Sequence, residues 1–276
     1  MVGSHGQAPS IAFVAEHVAA RHHAALPLAL EDASIEAAVG EIVAVVGANG
    51  SGKSTLARAL AGLVPIERGR IGWRGAQIDG RATRVGLVLQ DPAAQAIAAT
   101  VADDIAWALE RSEHTPDHTA SIVATVLREL DLVELAARNP GELSGGQQQR
   151  AAAGALIACA VDVLILDEPG AMLDAGARAR FGVAMRELAR ERAVIWITQR
   201  GDELARADRV VVLDAGHTVW AGPTAAFLAD PALAHTWDVE LPAEVRIAHA
   251  LGLSSGATAP RDIAQLLASI GDGRGA

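Results

Sequence analysis

Five short runs of nearly continuous apolar residues punctuate the chain: "EIVAVVG" (41–47), "RVGLVLQ" (84–90), "VDVLILDE" (161–168), "AVIWITQ" (193–199) and "RVVVLD" (209–214). They are rich in β-branched residues, and Ala-rich helical tracts separate them. That alternation predicts an α/β fold whose strands are buried on both faces in a largely parallel sheet. Residues 91–143 break the rhythm. "TVAD" (100–103) reads as a capped start for the helix "VADDIAWALER", and "TPDH" (115–118) puts Thr at a cap and Pro at the first helical position ahead of "SIVATVLREL". "NPGE" (139–142) ends the stretch. A helical subdomain, about 91–150 with the helix that follows, is therefore expected within the α/β core. Beyond "AGPTAAFLADP" (221–231) strand signals stop, and helices are expected around 242–251 and 260–270, with fraying over the last six residues.

Candidate chemistry begins after the first of those strands. "GANGSGKST" (47–55) fits G-x-x-x-x-G-K-[ST] between a strand and the helical tract "STLARALAG". The glycines let the backbone curl so that its N–H groups converge on phosphate oxygens, and the helix start adds partial positive charge. Gly47, Asn49, Gly50, Ser51, Gly52, Lys53, Ser54 and Thr55 are the candidate ATP-binding residues. Lys53 is expected at the β- and γ-phosphates, Ser54 on Mg²⁺, and Thr55 beside the α-phosphate. "VLILDEP" (163–169) ends a strand in two carboxylates. Asp167 can hold the water shell of Mg²⁺, and Glu168 can polarise an attacking water. Together these features indicate a P-loop NTPase.

A second candidate anion site follows at "LSGGQQQR" (143–150): Ser144 opens a helix, Gln147 stands at its third position, and Gly145 and Gly146 leave the helix start bare. By itself this is either a plain helix cap or a place for a bulky anion. Set between the phosphate loop and "LILDEP", it resembles the signature of ATP-binding-cassette (ABC) ATPases, over residues ~10 to 230. The resemblance implies a RecA-like parallel core with an N-terminal antiparallel β portion, an inserted helical subdomain, and a cassette over 1–230 with a helical extension at 231–276. It also implies head-to-tail pairing of two cassettes, in which Ser144, Gly145, Gly146 and Gln147 close on ATP held by the other. Gln90 in "LVLQDP" is similar to the residue that contacts Mg²⁺ and the attacking water, so Ser54, Gln90 and Asp167 form the implied Mg²⁺ set. Asp174 in "AMLD" resembles the acid at the dimer seam. Gln199 stands where the family usually has His; it can donate to a γ-phosphate but cannot become cationic. His22 falls at or near the place of the adenine-stacking aromatic, or else decorates an exposed loop with His17 and His23.

Composition narrows the partners. The formal charge is −10, which argues against nucleic-acid binding. The lone Cys159 suits a reducing cytoplasm, and no signal peptide or run of ~20 apolar residues is legible. A membrane role is thus expected through partners, at the cytoplasmic face. "QDPAAQ" followed by "TVADDI", and "LPAEVRIAHAL" in the tail, resemble the ATPases of energy-coupling-factor importers of vitamins or transition-metal ions. That group pairs two cassettes, identical or not, with a membrane scaffold subunit and a substrate-binding membrane subunit. Asp91, Asp103, Asp104 and Glu110, with no Lys or Arg among residues 91–110, offer carboxylates to a basic partner, or simply favour a helix dipole. Two rivals remain at this level: a regulatory module that barely hydrolyses, and a soluble cassette of translation or DNA repair.

Overall fold

The computed structural model describes residues 11–21, 27–77, 85–110, 115–252 and 264–268. In chain order the elements are β1 (Ile11–Ala20), β2 (Leu30–Ala38), β3 (Ile42–Val46), α1 (Lys53–Leu60), β4 (Ile66–Trp73), β5 (Ala76–Gln77), β6 (Val85–Val88), α2 (Val101–Leu109), α3 (Pro116–Glu129) and α4 (Gly145–Ala158). They continue with β7 (Val163–Asp167), α5 (Ala175–Ala189), β8 (Ala193–Ile197), α6 (Gly201–Leu204), β9 (Arg209–Asp214), β10 (His217–Pro223), α7 (Thr224–Ala229), α8 (Pro231–Thr236) and α9 (Ala243–Ala250).

Each of the five apolar runs becomes a strand, and together they form the parallel block β9-β3-β8-β7-β6. Alternation across the pleat sends their side chains to two cores. Ile42, Ala44 and Val46 of β3 face one core, and Val43 and Val45 face the other. Burying each such Val or Ile contributes roughly 1.5–3 kcal/mol, which is why runs of this kind settle in the middle of the sheet. The first core is closed by Ile105 of α2, Val126 of α3, Phe181 and Met185 of α5, and by Phe227, Ala234, Val239 and Val245 from the region of α7 to α9. The second is closed by Leu56 and Leu60 of α1 together with Phe13, Leu30 and Ile35 from an antiparallel layer.

That layer is β2-β1-β4-β5, joined to the parallel block through β10 and a single bridge, His217 to Asp32. The antiparallel β portion implied by the resemblance is therefore present, and α1 lies beneath it. The helical insert forms with its expected caps. Thr100 accepts from the Asp103 N–H at 3.1 Å, and Pro116 stands in the first turn of α3 behind Thr115. The strand predicted from 161 starts at Val163, and the helix expected behind the Thr115 cap begins at Pro116, as its position predicts. Residues 264–268 are helical, within the predicted 260–270, whereas His22, His23 and the tail 271–276 lie outside the described residues.

Candidate ATP site

The site gathers at the C-terminal ends of β3, β6, β7 and β8, where helix starts and strand ends leave backbone groups unpaired. The loop between β3 and α1 can follow its course because three of its residues, 47, 50 and 52, are glycine, and at two of them no side chain would fit. Gly47 has φ 139, and a Cβ there would fall 2.0 Å from the Leu213 carbonyl oxygen. Gly52 has φ 105, and a Cβ would fall 2.6 Å from the Ala29 carbonyl oxygen. The Lys53 ammonium lies inside this curl and donates to the Gly47 and Ala48 carbonyls, both at 2.8 Å. Only 6% of Lys53 is exposed. Burial pulls its pKa down, and the nearby Glu168 and Asp167 carboxylates oppose that. Thr55 is buried in the first turn of α1, while Asn49 and Gly50 are exposed at the loop tip.

Two pairs distant in sequence meet here. The Ser54 hydroxyl donates to Asp167 Oδ1 at 3.2 Å, joining the start of α1 to the end of β7. Asp167 is 3% exposed; burial raises its pKa, and the Ser54 hydrogen bond works the other way. The Gln90 amide donates to Glu168 Oε2 at 3.0 Å. Glu168 has φ 49, a left-handed backbone that costs a non-glycine residue about 1–3 kcal/mol. Its N–H donates to the Ile197 carbonyl at 3.0 Å, so the turn is held by β8. Gln199, just past β8, donates from Nε2 to Asn49 Oδ1 at 2.6 Å, which brings the residue in the place of the usual His onto the phosphate loop.

The four residues read as a signature open α4. The Ser144 N–H donates to Gln147 Oε1 at 2.9 Å, the backbone half of a capping box, and Ser144 is exposed. Gly145 and Gly146 lie against the segment that carries Asp174: a Cβ at Gly145 would be 3.1 Å from the Met172 carbonyl oxygen, and one at Gly146 would be 3.2 Å from Leu173. Asp174 caps α5 by accepting from the Ala177 N–H at 2.7 Å, and the adjacent Met172 side chain is 63% exposed. The helix start and the Asp174 turn thus share one face.

Three structural residues escaped the sequence reading. Gln95 accepts from the Leu89 N–H at 2.8 Å and donates to the Leu87 carbonyl at 2.9 Å, which holds the strand that leads to Gln90. Its only sequence signal is the second glutamine of "QDPAAQ". Thr198 and Glu203 form a buried pair behind Gln199. A Glu two residues after a glycine carries no local mark of burial.

Residues 30–171 match the family model described as ABC transporter. This chain belongs to the ABC transporter family. It is an ATP-hydrolysing cassette of the energy-coupling-factor type, as its relatives show. The energy-coupling factor transporter ATP-binding protein EcfA1 of Levilactobacillus brevis is 39% identical over 198 residues, covering 69% of this chain and 71% of that one. EcfA1 of Symbiobacterium thermophilum is 36% identical over 252 residues, covering 87% and 86%. Among solved structures, that of cbiO1 from Clostridium perfringens, part of the ABC transporter complex cbiONQ, superposes with a TM-score of 0.73 at 26% identity, covering 88% of this chain and 99% of that one. ABC cassettes bind ATP, and no helix among the described residues is long and apolar enough to cross a membrane.

The donors fit the metal that usually accompanies ATP. Ser54 and Asp167 supply hard oxygen atoms within 3.2 Å of each other, and no cluster of three His, Cys, Asp or Glu exists among the described residues. One carboxylate and one hydroxyl beside a phosphate site suit Mg²⁺, which keeps several waters and takes its remaining ligands from phosphate.

Proposed function

We propose that this ABC cassette powers import of a vitamin or a transition-metal ion, working as one of two cassettes under a membrane scaffold subunit and a substrate-binding membrane subunit. It would sit peripherally on the cytoplasmic face of the membrane. The observation that carries the reading is the convergence of Ser54 with Asp167, and of Gln90 with Glu168, beside the buried Lys53. In this scheme residues 1–230 are the cassette, with the helical subdomain over about 91–150, and 231–276 are the extension.

In the proposed mechanism the N–H groups of Gly47, Asn49, Gly50, Ser51 and Gly52 hold the phosphates, Lys53 neutralises the β- and γ-phosphates, and Thr55 flanks the α-phosphate. Adenine lies near His22. Ser54, Asp167 and Gln90 hold Mg²⁺, which when bound neutralises charge on the transferring phosphoryl group. Glu168 takes a proton from the attacking water, with Gln90 orienting its carboxylate. Gln199 donates to the γ-phosphate. Ser144, Gly145, Gly146 and Gln147 close on ATP held by the other cassette, and Asp174 lies at the seam. The shared face of the signature and the Asp174 turn supports that pairing, and so does the exposed Met172. Hydrolysis then removes the group that bridges the two halves.

Purification of tagged full-length chain from detergent-solubilised membranes tests the assembly. Integral subunits and a second cassette should accompany it, and recovery of the chain alone from membranes rich in it would sink the transporter reading. Two variants test the site. Gln199→His should turn over ATP at the same rate or faster, because imidazole also donates to a γ-phosphate. A large loss in steady-state phosphate release would show instead that the amide, with its Asn49 bond, has a specific task. Asp167→Asn should abolish Mg²⁺-dependent turnover. It should leave the nucleotide-free fold as stable or slightly more stable at neutral pH, and that difference should fade in acid, because burial makes the native carboxylate costly only once it is ionised. Near-native Mg²⁺-stimulated hydrolysis by this variant would remove Asp167 from the metal set.

A further inference from the structure

Behind Gln199 lies a carboxyl group that stability does not explain. Glu203 is 4% exposed; its Oε1 makes no hydrogen bond of good geometry, and the buried Trp196 indole N–H is the second donor that faces the carboxyl. Burial raises its pKa, an effect the Thr198 hydroxyl partly offsets. A buried acid whose donors do not fully satisfy both oxygens costs folding free energy that an apolar residue of similar volume would not. Such costs concentrate where function imposes them.

Its contacts run to both reacting segments. Glu203 Oε2 accepts from the Thr198 hydroxyl, and Thr198 is itself 1% exposed. The same Thr198 oxygen accepts from the Arg200 N–H at 3.0 Å, so the backbone is pinned on either side of Gln199. On the other flank, Oε1 packs against Gly170, two residues beyond Glu168: a Cβ at Gly170 would stand 1.7 Å from it. The neighbouring Asp202 extends the tie. It accepts from Arg178 Nε at 3.0 Å, and Arg178 donates in turn to the carbonyl of Leu173, next to Asp174. One short helical turn, α6, therefore touches the Gln199 turn, the loop leaving Glu168, and the segment that leads to Asp174.

We propose that Glu203 is a positioning residue for ATP hydrolysis: through Thr198 it aims Gln199 at the phosphate loop, and against Gly170 it keeps that turn in register with Glu168. This rests on the reading of Gln199 as a donor to the γ-phosphate. Glu203 itself is enclosed, at 4% exposed, and acts through these neighbours. Its effect is on geometry, where displacement of a reacting group by about 1 Å can slow turnover up to a hundredfold.

The test uses the full chain with whatever subunits purify with it, and measures kcat and the KM for ATP separately. Thr198→Val removes the hydroxyl without emptying its place and should lower kcat about tenfold with KM changed less than about twofold. Glu203→Ala should do the same. Glu203→Gln, whose carbonyl can still accept from Thr198, should stay within about threefold of the parent. Gln199→Ala separates the layers. If it leaves kcat unchanged, the reading of Gln199 falls and the proposal with it. If it slows turnover but Thr198→Val and Glu203→Ala do not, the positioning role alone is wrong. Equal losses in Glu203→Ala and Glu203→Gln with a matching rise in KM would make Glu203 merely structural. Should Glu203→Ala not fold, Thr198→Val and Glu203→Gln decide by the same values.

Discussion

Replacing Glu168 with glutamine should slow ATP hydrolysis about a thousandfold while leaving ATP bound, since loss of a positioned general base typically costs 10²–10⁴ in rate. The substitution is nearly isosteric, and it changes one thing: the group can no longer take a proton from water. The fold should tolerate it. Gln90 can still pair with the new side chain, because either amide can offer its oxygen, and the Glu168 N–H keeps its bond to the Ile197 carbonyl. Neither the phosphate loop nor the Ser54–Asp167 contact is touched. With chemistry blocked and binding intact, the proposed closed pair of cassettes should accumulate with ATP and Mg²⁺. Steady-state phosphate release, nucleotide retention and mass by light scattering would check this. Turnover within tenfold of the parent would remove Glu168 from the base role, and a variant that binds ATP beside its partner cassette yet never pairs would sink head-to-tail closure.

The second large effect is expected at Lys53. Lys53→Ala should weaken ATP binding about a hundredfold, on the scale of roughly 3 kcal/mol for charge-assisted contacts to phosphate. The ammonium is nine-tenths buried and anchored by two carbonyls at 2.8 Å, so its position is set before nucleotide arrives. Pre-positioning reduces the ordering cost that binding would otherwise carry. The nucleotide-free protein should lose less. Two hydrogen bonds disappear, but so does a buried charge whose desolvation opposes folding. Titration with ATP, alongside circular dichroism to show that the fold persists, gives the comparison; an affinity within threefold of the parent would show that the loop's backbone suffices.

How much of this was legible depended on how local each signal was. The phosphate loop, its flanking strand and α1 are contiguous, and glycine at 47 and 52 reports a backbone that only glycine adopts without strain. The five parallel strands announced themselves because burial on both faces leaves no polar positions. β1 and β2 were not read directly as strands. "IAFVAEHVAA" is alanine-rich, and register shifts around His17 break its alternation. Its strand character comes from pairing with β2 on one side and β4 on the other. β10 has only partly buried and exposed positions, with Gly and Pro near its end, so its pattern is weak. Glu203 looked like an ordinary helical acid until the fold enclosed it.

The sequence by itself determined that the chain builds an α/β nucleotide-binding cassette, because strand burial, loop glycines and helix caps act over a few residues and leave a periodic or positional trace. Only the tertiary structure decided which side chains meet. Ser54 and Asp167 are 113 residues apart, Gln90 and Glu168 are 78, and Asn49 and Gln199 are 150. The order β3-β8-β7-β6 brings those strand ends together. Strand order is set by packing two cores at once, a condition on the whole chain that no short window of residues records.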